Sequence, residues 1–353
     1  LVQALANLYS PLINKKLDPM KDILVTAGAY QALYYAILAN VEPGDEVIII
    51  EPFFDCYEPM VRMAQGTPVF VSLKPTKSSG SISSADWKLD MEELTSKFNS
   101  KTKVIIVNTP HNPLGKVFTR EELERIGSLA EKWNCLVIMD EVYEWMVFDR
   151  NKHIRMASLP GMFERTLTVG SAGKTFSVTG WKLGWVYGPD YLIRNLQILH
   201  QNCVYTLPTV LQEAVAQALE IELNRIKEPE CYLQSLAKEL QDKRDLMATF
   251  LKAAELEPVI PEGGYFMFAK WSHLGDRVKV EVKPEEEEEP RDYKLVKYLS
   301  RKWKIQMIPP SAFYCQNDKY LGEDYLRFCF IKKDETLKQA ADILLKWRQS
   351  LGN

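Results

Sequence analysis

The apolar positions of this chain fall into short unbroken runs separated by longer stretches of helical periodicity. Ile23-Leu24-Val25-Thr26, Glu46-Val47-Ile48-Ile49-Ile50, Val69-Phe70-Val71, Val104-Ile105-Ile106-Val107 and Leu136-Val137-Ile138-Met139 lack polar alternation, and Thr166-Leu167-Thr168-Val169-Gly170 is a short run whose only polar side chains are threonines. Each predicts a strand covered on both faces. Helical patterns lie between them. Leu1 to Ile13 carries Leu1, Leu5, Leu8 and Leu12 on one face; Gln31 to Asn40 and a segment ending near Gln65 follow. Thr119 to Trp133 opens with a capping box, Thr119 and Glu122. Such alternation predicts an α/β fold built on a mostly parallel sheet.

From Pro189 onward the texture changes. Tyr191 to Asn202, Pro208 to Ile226 and Glu230 to Ala254 predict long helices. Strands at Tyr265–Phe268, Ile305–Ile308 and Tyr325–Phe330, with helices at Asp292–Trp303 and Asp334–Leu351, complete an α+β segment. The expected division is a large domain over 14–224 and a smaller one over 225–353, to which 1–13 also contribute. Two polar stretches read as exposed loops: Lys74 to Asp86, and the acidic run Glu285 to Glu289.

Composition narrows the function without choosing it. The 353 residues allow two domains of about 150 residues each. A net charge of −3 gives no electrostatic case for nucleic acid or an anionic membrane. No apolar run reaches the ~18 residues of a membrane span, and no secretory signal stands at the start. The six cysteines form no Cys-x-x-Cys pair, a reducing-compartment pattern that fits cytoplasm or mitochondrion. Three of them, Cys135, Cys203 and Cys329, lie in apolar runs and are expected to be buried. The four histidines lack metal-ligand spacing, so a metal site is not expected. The chain opens on Leu1, already inside a helical pattern, which suggests a truncated or processed N-terminus.

The candidate chemistry gathers at strand ends, where open α/β sheets bind ligands. Lys174 sits in Ser171-Ala172-Gly173-Lys174-Thr175, just beyond the Thr166–Gly170 run and before a second expected strand, Trp181 to Tyr187. A lysine sheltered there favours a neutral, nucleophilic amine suited to an imine with an aldehyde cofactor; a basic surface loop is the alternative. Asp140 ends an all-apolar run and needs a cationic or proton-donating partner: a helix cap, an ion pair or a protonated ring nitrogen. Tyr143 and Asn112 could bond the same ring. Phe54 could stack on it or plug the core. Ser171, Lys182 and the amides of Ala29 and Tyr30 at a helix start are groups that hold a phosphate. Arg327, a charge inside an apolar strand, suits either a carboxylate clamp or a structural salt bridge.

Taken in order, EPFFDCYEPM, NTPHNPLGKV, DEVYEWMV, SAGKTFSVTGWKLGW and RFCFIKKD resemble the fold-type I, class I pyridoxal-phosphate aminotransferases. Within that class they look like the kynurenine aminotransferase and cysteine-S-conjugate beta-lyase subfamily, also called glutamine transaminase K. The resemblance covers essentially the whole chain. It implies pyridoxal 5′-phosphate bonded to Lys174, which also moves the substrate proton. It implies that Asp140 keeps the pyridine nitrogen protonated, that Tyr143 and Asn112 bond the phenolic oxygen, and that Phe54 and Val142 cover the two ring faces. Ser171, Lys182 and the Ala29 and Tyr30 amides would hold the phosphate, and Arg327 with Asn112 the substrate carboxylate. Tyr205 and Thr206 would reach into a partner's site in a homodimer. The implied reaction moves an amino group from kynurenine, glutamine or another large neutral amino acid to a 2-oxo acid, with beta-lyase side activity. Family members carry a further N-terminal arm before the position of Leu1. A carbon–sulfur lyase on the same fold, or a silent short form that keeps the fold and dimerises, are the alternatives.

Overall fold

A computed structural model of the protein describes residues 1–77 and 80–352. The large sheet contains β1 (Ile23–Thr26), β2 (Glu46–Glu51), β3 (Thr67–Pro75), β5 (Trp87–Leu89), β6 (Thr102–Asn108), β7 (Leu136–Asp140), β8 (Thr166–Ser171) and β9 (Gly184–Tyr187). Its spatial order is β1-β9-β8-β7-β6-β2-β3-β5. The five central strands, β8 through β3, run parallel, and the pairings at both margins are antiparallel. The second sheet, ordered β12-β11-β10-β4, contains β4 (Ile82–Ser83), β10 (Glu257–Ile260), β11 (Phe266–Lys270) and β12 (Tyr325–Cys329).

The unbroken apolar runs are explained by cover on both faces. Along β2, β6 and β7, Ile49, Ile106 and Ile138 enter one core cluster, while Ile48, Ile105 and Val137 enter another on the opposite face. Full burial of one such side chain contributes about 1.5–3 kcal/mol. The first face is covered partly by α2 (Gly28–Leu38) and α3 (Tyr57–Met63), the second partly by α5 (Arg120–Lys132). Thr119 caps α5 through the expected reciprocal bonds with Glu122. At the β1 margin, α1 (Val2–Leu12) buries Leu5, Leu8 and Tyr9 against Trp185, Tyr187 and the Val215 and Leu219 side chains of a later helix. Its core contacts therefore lie on the large-sheet side.

The remaining helices are α4 (Met91–Lys97), α6 (Ala172–Thr175), α7 (Asp190–Cys203), α8 (Thr209–Asn224), α9 (Tyr232–Ala253), α10 (Arg291–Tyr298) and α11 (Asp334–Ser350). Leu240, Met247 and Leu251 of α9 and Leu337, Leu344 and Trp347 of α11 share a core with Leu326 and Phe328 of β12.

Several expectations are corrected. The Lys74–Asp86 stretch is not wholly an exposed loop: β3 extends to Pro75, and Ile82–Ser83 pairs in parallel with Val259–Ile260 in the second sheet. Ile82 is buried there; Ser78 and Ser79 lie outside the described residues. The strand expected from Trp181 begins only at Gly184, because Thr179–Trp181 forms a helical turn and Lys182 is left-handed, with φ of 51°. Helix α2 starts at Gly28 instead of Gln31. Ile305–Ile308 forms no regular strand; Ile308 makes one isolated bridge to Arg327. The acidic run is not simply solvated: the buried Glu286 carboxylate pairs with Arg301, and Glu289 with Lys297. Cys135 is buried as expected, but Cys203 is exposed and Cys329 half-buried. Strands β5 and β10 and helix α4 carried too short a pattern to be expected.

Candidate active site

Parallel register sets the floor of the site. Asn108 ends β6 directly beside Asp140 at the end of β7. The Asn108 amide nitrogen donates to the Asp140 carbonyl at 2.8 Å, and its side-chain oxygen accepts from the Asn112 backbone N–H at 2.6 Å. Asn108 therefore fixes the Asn112 turn from behind. A cavity of about 300 Å³ opens above these strand ends, lined by Asn112 and Asp140 but not by Asn108.

Asp140 is 4% exposed. Its carboxylate accepts from the Tyr57 hydroxyl at 2.6 Å and weakly from the Val142 N–H at 3.4 Å. Burial pushes its pKa up to about 6, against the lowering effect of the Tyr57 bond. Val142 and Tyr143 follow on the turn after β7, and both line the cavity. The buried Tyr143 hydroxyl lies 3.4 Å from that of Tyr265. Burial, then the Tyr265 oxygen, hold its pKa well above the usual phenol value.

Lys174 extends from α6, a single turn set directly on the end of β8. Its amine is half-buried in the cavity and donates to the Tyr265 hydroxyl oxygen at 2.7 Å. Close approach fixes this corner: a Cβ on Gly173 would stand 3.0 Å from the Thr179 Cα, and one on Gly184 only 2.5 Å from the Ala29 nitrogen. The second contact brings the start of α2 against β9. Ser171, the start of α2 at Gly28–Tyr30 and Lys182 border the same end of the cavity. The Lys182 Cε lies 3.9 Å from where a Gly28 Cβ would be. An exposed lysine thus meets the positive end of α2, an arrangement suited to a phosphate.

The opposite end belongs to the second sheet. Arg327 of β12 donates to the Asn112 side-chain oxygen at 3.0 Å. Its guanidinium lies 4.0 Å from the Phe266 ring centre and 4.6 Å from that of Phe313. Burial holds its pKa below the ordinary value. Among the described residues it forms no ion pair, so the structural salt bridge is absent there. Phe54 enters from the loop after β2, edge-on to Tyr30 and Tyr57. Two bonds tie that loop to the segment carrying Phe313. The Phe53 N–H donates to the Phe313 carbonyl at 2.7 Å, and the Glu51 carboxylate accepts from the Cys315 N–H.

The structure therefore brings Lys174, Asp140, Tyr143, Asn112, Phe54, Val142, Ser171, Lys182, Ala29, Tyr30 and Arg327 to one cavity. It does not bring Tyr205 and Thr206 there. They follow α7 outside the cavity lining, with Tyr205 77% exposed. Tyr57, Tyr265, Phe266 and Phe313 were missed. Each is an ordinary aromatic in an apolar stretch, and only the Gly263-Gly264 pair before Tyr265 hinted at close packing.

The family model described as aminotransferase class I and II matches residues 1–344. This chain belongs to that family. It is 54% identical over 348 residues to kynurenine–oxoglutarate transaminase 3 of Homo sapiens, covering 98% of this chain and 76% of the relative. It is 47% identical to kynurenine–oxoglutarate transaminase 1 of Homo sapiens, covering 99% and 83%. Among solved structures, Bna3p of Saccharomyces cerevisiae superposes with a TM-score of 0.92 at 32% identity, covering 99% of this chain and 81% of that one.

The chain is thus a fold-type I aminotransferase, and its cofactor is pyridoxal 5′-phosphate. The residues present fit that group. A buried carboxylate with a single strong protein donor faces the same space as a lysine amine, and the start of a helix with a cation closes one end. No helix of the described residues is long and apolar enough to cross a membrane.

Proposed function

We propose that this protein transfers the amino group of kynurenine, glutamine or another large neutral amino acid to a 2-oxo acid such as 2-oxoglutarate or glyoxylate. The names of the 54% and 47% identical relatives support kynurenine and 2-oxoglutarate as the first pair to try. The observation that carries the reading is the shared cavity of Lys174, Asp140 and Arg327.

Bound pyridoxal phosphate supplies an aldehyde that takes up the amino group and a protonated ring that accepts electrons from the substrate Cα. In our reading Lys174 would hold the cofactor's aldehyde and move the substrate's Cα proton. Asp140 stays ionised beside the ring nitrogen and keeps it protonated. Tyr143 and Asn112 would donate to the ring oxygen, while Phe54 and Val142 would cover its two faces. Ser171, Lys182 and the Ala29 and Tyr30 amides hold the phosphate. Arg327 clamps the substrate carboxylate, with Asn112 fixing the guanidinium. We include a homodimer, with Tyr205 and Thr206 at the partner's site; the exposure of Tyr205 supports such a placement. A beta-lyase side reaction on cysteine S-conjugates completes the proposal. So does a reducing compartment, cytoplasm or mitochondrion, favoured by the six unpaired cysteines.

The test supplies the purified protein with pyridoxal phosphate, kynurenine and 2-oxoglutarate. Glutamate should appear in step with kynurenine consumed, and Lys174→Ala should lower the rate by at least about a thousandfold. Glutamate formation that survives Lys174→Ala would overturn the assignment of the reacting amine. Pyruvate released from a cysteine S-conjugate without any oxo acid would identify the lyase reaction.

A further inference from the structure

The Lys174 amine has a protein partner that the roles above leave unused. Tyr265 points its hydroxyl into the triangle between Lys174 and Tyr143, 2.7 Å from the amine and 3.4 Å from the second phenol. Its ring stands edge-on to Tyr143, with centres 5.0 Å apart, and to Phe266 at 4.6 Å. Tyr265 is only 9% exposed.

The backbone holds that ring firmly. Gly263 donates to the Gly115 carbonyl at 2.9 Å, and Gly264 to the Met146 carbonyl at 2.8 Å. A Cβ on Gly263 would stand 2.7 Å from the Met146 oxygen and 2.8 Å from the Pro110 Cβ, so the chain passes there without room for a side chain. Gly264 has φ of 72°, in the left-handed region that glycine enters readily. On the far side, the Phe330 N–H bonds the Tyr265 carbonyl at 3.1 Å. The hydroxyl is thereby fixed relative to the turns that carry Tyr143 and Asn112.

A lysine amine on a four-carbon stem has three rotatable donors and much rotamer freedom. An amine that must bond a carbon, leave it and then move a proton needs a defined place when it is free. Arg327 and Asn112 are engaged with each other, and Asp140 with Tyr57. Among the described residues the Tyr265 oxygen is the acceptor that the amine bonds.

We propose that Tyr265 is a positioning residue for Lys174: its hydroxyl oxygen receives the free amine and aims it for proton transfer. This rests on Lys174 being the reacting amine. Tyr265→Phe keeps the ring and removes only the acceptor. The kcat of Tyr265→Phe should fall about tenfold or more while KM for the amino donor stays within about twofold. A second readout needs no turnover. In protein stripped of cofactor, trace acetylation followed by peptide mass spectrometry should label Lys174 about fivefold faster in Tyr265→Phe, the factor of one ordinary hydrogen bond. Unchanged Lys174 labelling, or unchanged kcat, overturns the proposal. If Tyr265→Phe does not fold, 4-fluorophenylalanine at position 265 fills nearly the same space with a fluorine that accepts hydrogen bonds only poorly. It should show the lowered kcat and the faster Lys174 labelling, and wild-type values would overturn the proposal. Failure of the underlying reading shows separately, as turnover by Lys174→Ala.

Discussion

Each end of the cavity presents one charge, buried at Asp140 and half-buried at Arg327, and the two are satisfied differently. Asp140 stands at the end of a central parallel strand, with a 2.6 Å bond from Tyr57 and its pKa raised by burial to about 6. Arg327 stands on the small antiparallel sheet, between two aromatic faces, bonded to the neutral Asn112 and paired with no acid among the described residues. A guanidinium partly withdrawn from water without an anion is costly. The first end has its protein partner in place, as suits a cofactor that stays. The second leaves its charge without an acidic partner among the described residues, as suits the carboxylate clamp proposed for Arg327.

Substitutions at each end should separate these roles. Asp140→Asn keeps the shape but removes the charge, and it should cut kcat/KM on the order of a thousandfold, about 4 kcal/mol. The loss should fall mainly on kcat, in steady-state assays with saturating cofactor. If it appears only as a raised KM, the two ends have been assigned the wrong way round. Arg327→Ala should cost about a hundredfold in kcat/KM, expressed in KM for both the amino acid and the oxo acid. A primary amine without a carboxylate, followed in single turnover, should react as fast with this variant as with the wild type. Equal slowing of both amines would assign Arg327 a structural role.

The smallest effect concerns pH. The Tyr57 hydroxyl stabilises the Asp140 carboxylate, so its removal lets burial raise the pKa further above about 6. Activity that needs ionised Asp140 is lost as pH falls through that pKa. Tyr57→Phe should therefore move the acidic limb of the kcat/KM profile to higher pH by about one unit, the value of one charge-assisted hydrogen bond. A limb that stays in place would show that Tyr57 does not set the charge at this end.

The large-sheet end was more legible than the other. Asp140 could be read as the end of a strand because Leu136 to Met139 is apolar throughout, and such a run has one geometry when both faces are covered. Arg327 could be read only as a buried charge with two possible partners. What the fold adds is the placement of Asn112, Phe266 and Phe313 around it, with no acid paired to it among the described residues; these lie far from it or from each other along the chain. The shape of the Lys182 turn escaped the sequence reading for a related reason. A left-handed lysine before a strand has no periodic signature, and its conformation follows from the fit of β9 against the start of α2.

By itself the sequence determined the parallel sheet, the place of Lys174 after β8 and most of the residues that come to line the cavity around it. These are written in local patterns: burial on both faces, turn residues and motif spacing. Tertiary structure alone decided the second layer. Tyr57 reaches Asp140 across 83 residues of chain, and Lys174 reaches Tyr265 across 91. The first bond depends on how α3 packs on the large sheet and the second on how the two sheets meet, neither of which a local pattern encodes.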